Sequence, residues 1–236
     1  MADKVLRLAS YNIRKARGLD QKRVPERTLY VINQLGADIV VLQEADKRLG
    51  ARKPALPHKL VEAETDFQIV STAKNGISLG WHGNAVLIRK GLNAKCVRQL
   101  DLPGLEPRGA VCVDLDVGKG LCVVATHLGL LRRDRRAQLK MLCRETANRE
   151  HTVIAGDFNE WARHKGLEAL KDRFETHSPG QSFHARRPVA ALDRIAISRG
   201  LQMRAAGVEQ GSVARRASDH LPVWTDIVLP ANAATC

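Results

Sequence analysis

Short apolar runs, each closed by polar or turn residues, recur along the whole chain. Val5–Tyr11 (VLRLASY) alternates apolar and polar positions and predicts a strand, because successive side chains of a strand point to opposite faces. Thr28–Leu35 carries helical spacing, and Ile39–Leu42 (IVVL) is apolar throughout, as in a strand buried on both faces. Asn84–Arg89 predicts another strand. Arg108–Val117, the turn Gly118-Lys119-Gly120 and Leu121–His127 predict a hairpin. Residues 132–148 predict a helix with Leu139, Leu142, Cys143 and Thr146 on one face. Val153–Ala155 predicts a strand, Leu167–Phe174 a weaker helix, and Leu192–Ser198 and Leu221–Val228 two closing strands. Strands outnumber helices and helices fall between strand pairs, which suggests two packed sheets flanked by helices in one domain over residues 1–230, with residues 231–236 as a frayed tail.

At 236 residues the chain can bury a sizeable core, and 44% hydrophobic with 27% charged residues excludes a disordered or collagen-like chain. No apolar run approaches the ~20 residues of a membrane span. The first residues enter a strand pattern with no signal-peptide core, so a cytoplasmic location is the expectation, and a monomer is expected as well. Five cysteines without CxxC or zinc spacing are read as structural thiols. The charge of +13 points to a polyanionic partner: nucleic acid, a phosphorylated small molecule or an anionic membrane surface.

The chemistry lies where apolar runs end. Asn12 follows LASY, Glu44 follows VVLQ, His127 follows VVAT, and Asp157 and Asn159 follow VIAG; Asp193 sits in ALDRI and Asp219-His220 precede LPVW. Strand ends gathered at one edge are where sites are commonly built. Carboxylates and amides without thiolates suit a hard cation such as Mg²⁺ or Mn²⁺, and two histidines beside them can donate hydrogen bonds to phosphoryl oxygens. No P-loop or GxGxxG is present. Metal-assisted phosphoester hydrolysis fits. Singly, each of these residues also has an ordinary reading as a turn or capping residue.

The ordered set SYNIR (10–14), LQEAD (42–46), ATHL (125–128), GDFN (156–159), LDRI (192–195) and SDHLPV (218–223) resembles the endonuclease/exonuclease/phosphatase superfamily, and in particular its small stand-alone bacterial members. The resemblance implies a four-layer α/β/β/α sandwich of two mainly antiparallel sheets and a metal-dependent phosphoesterase. It implies that Glu44, assisted by Asn12, holds the divalent metal, and that Asp157 orients or deprotonates the attacking water. Asn159 would hold the scissile phosphate, with His127 and His220 on the phosphoryl oxygens. Asp193 would orient one imidazole, and Asp219 would complete the metal shell or pair with His220. Asn84 is a further candidate for the phosphate.

The basic clusters are candidates for substrate contact. Arg132, Arg133, Arg135 and Arg136 open a helix whose dipole disfavours them, which contact with an anionic substrate through Arg132 and Arg135 would explain, as would a solvated face. Arg186-Arg187 and Arg215-Arg216 flank two of the motifs, and the remaining six histidines are expected at the surface. Only 4% of residues are aromatic, which leaves few platforms for stacking bases but does not exclude a duplex gripped by its backbone. The insertions and tryptophan motif of abasic-site nucleases, the secretion signal and aromatic hairpin of sphingomyelinases, and the lysine-rich segment of inositol phosphatases are not found. Nucleic-acid phosphodiester hydrolysis ranks first and a phospholipid or small-molecule phosphoesterase second. A non-catalytic binder of nucleic acid or anionic membrane ranks last.

Overall fold

A computed structural model describes residues 4–47, 50–73 and 76–230; the tail expected to fray, 231–236 with Cys236, lies outside the described residues. Strand β1 (Lys4–Asn12), helix α1 (Pro25–Gln34) and β2 (Ile39–Gln43) form a parallel β-α-β unit, with Leu8 opposite Ile39 and Asn12 opposite Gln43. A second such unit is β7 (Leu121–His127), α3 (Arg132–Glu145) and β8 (Thr152–Asp157), with His127 opposite Asp157. Every other strand pairing is antiparallel among the described residues.

Around the first unit lie α2 (His58–Glu64), β3 (Phe67–Ile69), β4 (Ala85–Arg89), β11 (Gln202–Val208), α4 (Ala214–Ala217) and β12 (Val223–Leu229). Around the second lie β5 (Ala94–Leu102), β6 (Arg108–Leu115), β9 (Phe174–His177) and β10 (Asp193–Ser198). The sheets each have six strands, ordered β11-β12-β1-β2-β4-β3 and β5-β6-β7-β8-β10-β9.

Side-chain alternation divides the interior into three apolar layers. Leu6, Leu8, Ile39, Val41, Val123, Val153 and Ile195 fill the space between the sheets. Their neighbours in sequence, among them Ala9, Val40 and Leu42, face outward onto Leu29, Ile32 and Val61 of α1 and α2. Val124 and Ile154 face outward onto Leu139 and Leu142 of α3. Three cores between four layers make the α/β/β/α sandwich that the sequence predicts.

The helix expected over Leu167–Phe174 is instead one 3₁₀ turn, Glu168–Leu170, followed by β9. The helix beginning at Arg132 ends at Glu145, three residues before the predicted end. His151 is buried, against the expectation of a surface position. The described cysteines, Cys96, Cys112, Cys122 and Cys143, are free thiols.

Candidate active site

Parallel pairing sets the C-terminal ends of β1, β2, β7 and β8 at one edge of the sandwich. Asn12, Glu44, His127 and Asp157 therefore leave their strands side by side. Antiparallel neighbours bring their starting ends to the same edge: Asp193 opposes Asp157, and His220 enters just before β12, which runs against β1. Backbone strain marks the same edge. Glu44 and Asn159 hold left-handed φ values of 54° and 51°, and Arg14, Lys15 and Ala16 do so in succession. Gly156 is required beneath the cluster, because a Cβ there would lie 1.8 Å from the Thr126 carbonyl oxygen.

Asp157 is the centre of the cluster. Its Oδ2 accepts a hydrogen bond from Asn12 Nδ2 at 3.1 Å and faces Nε2 of His127 at 3.4 Å and of His220 at 3.6 Å. Its Oδ1 accepts from the Asn159 backbone N–H at 2.9 Å, the turn expected of an Asp two residues ahead. Asn159 Nδ2 donates to the Leu128 carbonyl at 2.8 Å. Behind His220, Nδ1 meets Asp193 Oδ2 at 2.8 Å, and the Ser182 hydroxyl donates to the same oxygen at 2.5 Å. Asn12, His127, Asp157, Asp193 and His220 are all buried.

The two histidines sit in opposite electrostatic surroundings. Burial pushes the pKa of His127 down to about 4, against the pull of Asp157 and with help from Arg108, so the ring is neutral at neutral pH. Burial acts on His220 in the same direction, but the carboxylates of Asp193 and Asp157 outweigh it and raise its pKa to about 10. One edge thus holds a neutral imidazole and an imidazolium across a shared carboxylate, the arrangement that separates acid and base roles.

Oxygen donors for a metal lie on the Glu44 side. Lys15 is ion-paired with the Glu44 carboxylate, and Arg14 Nε reaches Asp219 Oδ2 at 3.3 Å. Asn12 Oδ1 accepts from the Arg14 backbone N–H at 3.1 Å. Both carboxylates therefore attract positive charge at the rim, and the all-oxygen set fits a hard divalent cation. Asp157, Asp193 and His220 also present ligand atoms within 4.8 Å of one another. The Asp193 Oδ2 and the His220 Nδ1 are already committed to each other. Of the two alternatives for Asp219, pairing with His220 is not seen; Asp193 takes that place.

The expected substrate-contact residues fall elsewhere. Asn84 is fully buried, and its Nδ2 donates to the carbonyls of Trp81 and Gly109 at 3.2 and 2.9 Å; it fastens a turn rather than facing a phosphate. Arg135 is also buried, donating to the Gly129 and Leu130 carbonyls and to Glu160 Oε2 at 2.7 Å. Arg132 is half exposed but binds both oxygens of Glu160, at 3.0 and 2.8 Å. These two arginines hold the loop after β7 to the loop after β8. Their cost at the helix start is offset by Glu160 and by Asp134 in the first turn.

Sequence reasoning missed two aromatic residues. The Phe183 ring lies 5.0 Å from that of His220, and Trp161, 66% exposed, meets Phe183 edge to face at 6.3 Å. Only proximity in the fold joins Trp161 to the loop before β10; its place two residues after Asn159 was the available signal.

A family model described as the Endonuclease/Exonuclease/phosphatase family matches residues 9–220. The uncharacterized protein YbhP of Escherichia coli (strain K12) is 31% identical over 222 residues, covering 84% of this chain and 86% of that one. Solved structures share the fold, two among them being the following. The mannosyl-6-phosphatase Bt3783 of Bacteroides thetaiotaomicron VPI-5482 has TM-score 0.74 and 18% identity, covering 95% of this chain and all of that one. D. rerio TDP2 complexed with single-strand DNA product has TM-score 0.72 and 16% identity, covering 95% of this chain and 99% of that one. With the motif residues meeting at one edge of a four-layer sandwich, the chain belongs to the endonuclease/exonuclease/phosphatase family.

Proposed function

We propose that the protein is a divalent-metal-dependent phosphodiester hydrolase that cuts the backbone of nucleic acid by attack of water on the phosphate. The observation that carries this reading is the convergence of Asn12, His127 and His220 on the buried Asp157 carboxylate, with Asp193 holding His220 from behind. Asp157 takes the proton of the attacking water as the new phosphorus–oxygen bond forms and the ester bond to the leaving oxygen breaks. His220, kept protonated by Asp193, donates a hydrogen bond to a phosphoryl oxygen, and Asn159 and His127 orient the phosphate. Glu44, with Asn12 and Asp219, would hold Mg²⁺ or Mn²⁺, which would supply positive charge to stabilise the transition state.

Three features support a nucleic acid over other phosphoesters. The charge is +13, the lining of the cleft on the Glu44 side includes Lys15, Lys47, Arg52 and Arg108, and the exposed Trp161 offers an aromatic face beside Phe183. Such a face suits a base, whose stacking on an aromatic ring is worth about 1–3 kcal/mol. A small phosphoester as substrate is the second reading, favoured by the modest size of that cleft, about 320 Å³.

Paired Mg²⁺ assays of wild type and Asp157→Asn, on supercoiled plasmid and on bis-p-nitrophenyl phosphate, test the proposal. Nicking that falls at least ~10²-fold in the variant supports it. Hydrolysis of the aryl ester without nicking moves the substrate to small phosphoesters, and wild-type turnover by Asp157→Asn removes the assigned role.

A further inference from the structure

The cleft of about 320 Å³ beside Glu44 and His127 is walled by Asp46-Lys47 and Arg52, by His82-Gly83 and by Glu106–Arg108. The backbone at residues 45–47 and 52–55 is fastened in place. Lys47 N–H donates to the Lys53 carbonyl at 2.9 Å, Ala55 N–H to the Ala45 carbonyl at 2.7 Å, and the Ser78 hydroxyl to the Arg52 carbonyl at 3.0 Å. Asp46 is buried and accepts the backbone N–H groups of Leu79 and Gly80 at 2.6 and 3.2 Å.

Most charges lining the cleft are matched. Lys15 pairs with Glu44, Arg108 donates twice to Glu106, and His82 reaches Asp101. Two are not: among the described residues, Lys47 and Arg52 line the cleft and neither side chain forms an ion pair or hydrogen bond. Arg52 feels the charge of Asp46, whose oxygens are already taken by backbone donors. Two unmatched cations on a fastened frame, in a cleft adjoining a phosphate-cutting cluster, are suited to a second anion.

We propose that this cleft is a second-phosphate subsite in which Lys47 and Arg52 bind a phosphate next to the scissile one. The substrate is then a phosphoester that carries another phosphate, either the neighbouring phosphate of a strand or the second phosphate of a small bisphosphate. The inference rests on the proposed hydrolase reading for the position of the scissile phosphate, and it specifies which phosphoesters the site prefers.

The test uses wild type and the Lys47→Ser/Arg52→Ser double variant, with thymidine 5′-monophosphate, thymidine 3′,5′-bisphosphate and fructose 1,6-bisphosphate as probes. Binding is measured by calorimetry at low ionic strength, with and without Mg²⁺, after circular dichroism has shown that both proteins are folded. Wild type is expected to bind a bisphosphate about tenfold tighter than the monophosphate, the scale of a charge-assisted contact. The double variant is expected to lose that preference while hydrolysing bis-p-nitrophenyl phosphate at the wild-type rate. Loss confined to the thymidine compound identifies a strand as the source, and loss confined to the sugar identifies a small bisphosphate. Absence of any preference in wild type, or its survival in the variant, overturns the proposal. A preference that disappears on substitution in a protein that cuts no ester would retain the subsite and reject the hydrolase reading.

Discussion

Asp193 and His220 form one unit: the carboxylate is fully buried and its Oδ2 stands 2.8 Å from the imidazole Nδ1, so the other ring nitrogen is turned toward Asp157. The histidine is charged at neutral pH because this carboxylate, together with that of Asp157, outweighs burial. Asp193→Asn is expected to lower kcat at least ~10²-fold with little change in KM. It should also move the alkaline limb of the rate profile to lower pH, because His220 then loses its proton sooner. A pH–rate profile with an unmoved alkaline limb would show that Asp193 acts only in packing.

The same two histidines impose a pH dependence on stability. The pKa of His127 is about 4 in the fold against an ordinary 6.5, so its neutral form stabilises the fold above 6.5, and this contribution is lost as pH falls toward 4. His220 is raised to about 10, so its contribution is complete below 6.5 and is lost as pH rises through 10. Thermal melts across pH are expected to show His127→Gln flattening the acid side alone and His220→Gln the alkaline side alone.

Glu44 is paired with Lys15 at the position assigned to the metal. Glu44→Gln is expected to raise the Mg²⁺ concentration needed for half-maximal activity by at least tenfold. It should also abolish any Mg²⁺-dependent rise in melting temperature, which is a readout independent of turnover. An unchanged Mg²⁺ titration would place the cation elsewhere.

Glu160 separates structural arginines from substrate-binding ones. It is 1% exposed and shared by Arg132 and Arg135, and these partners outweigh its burial and hold its pKa down to about 2. Glu160→Leu leaves the buried Arg135 unpaired and is expected to cost about 3–5 kcal/mol in urea unfolding. Arg132→Ala, at an exposed site, is expected to leave the urea unfolding midpoint nearly unchanged and the salt dependence of KM unaltered.

Trp161 is exposed beside the ring that packs on His220. Trp161→Ala is expected to raise KM for single-stranded DNA about tenfold while sparing kcat for bis-p-nitrophenyl phosphate. Equal KM values for the two proteins would remove the stacking role.

The strands that escaped the sequence are β3, β5, β9 and β11, and these are the four edges of the two sheets. An edge strand packs beside one neighbour only, and Ala94–Leu102 and Gln202–Val208 are mostly half-buried or exposed, so neither shows alternation. The central strands were legible because both faces are covered. The motif residues were legible because they end those strands. Ser182, Trp161, Phe183, Lys47 and Arg52 lie in loops, where no period marks a side chain that the fold later brings to the cluster. Arg132 and Arg135 were read as facing substrate because their partner, Glu160, is 28 and 25 residues away.

The register of β12 against β1, with Leu229 opposite Lys4 and Val223 opposite Ser10, makes the last strand an interior member of the sheet that the first one begins. Asp219 and His220 arrive only with that strand. A chain in which that strand has not docked therefore carries Glu44, His127 and Asp157 without His220 beside the Asp157 carboxylate. The cluster is complete only when the two ends of the fold lie side by side.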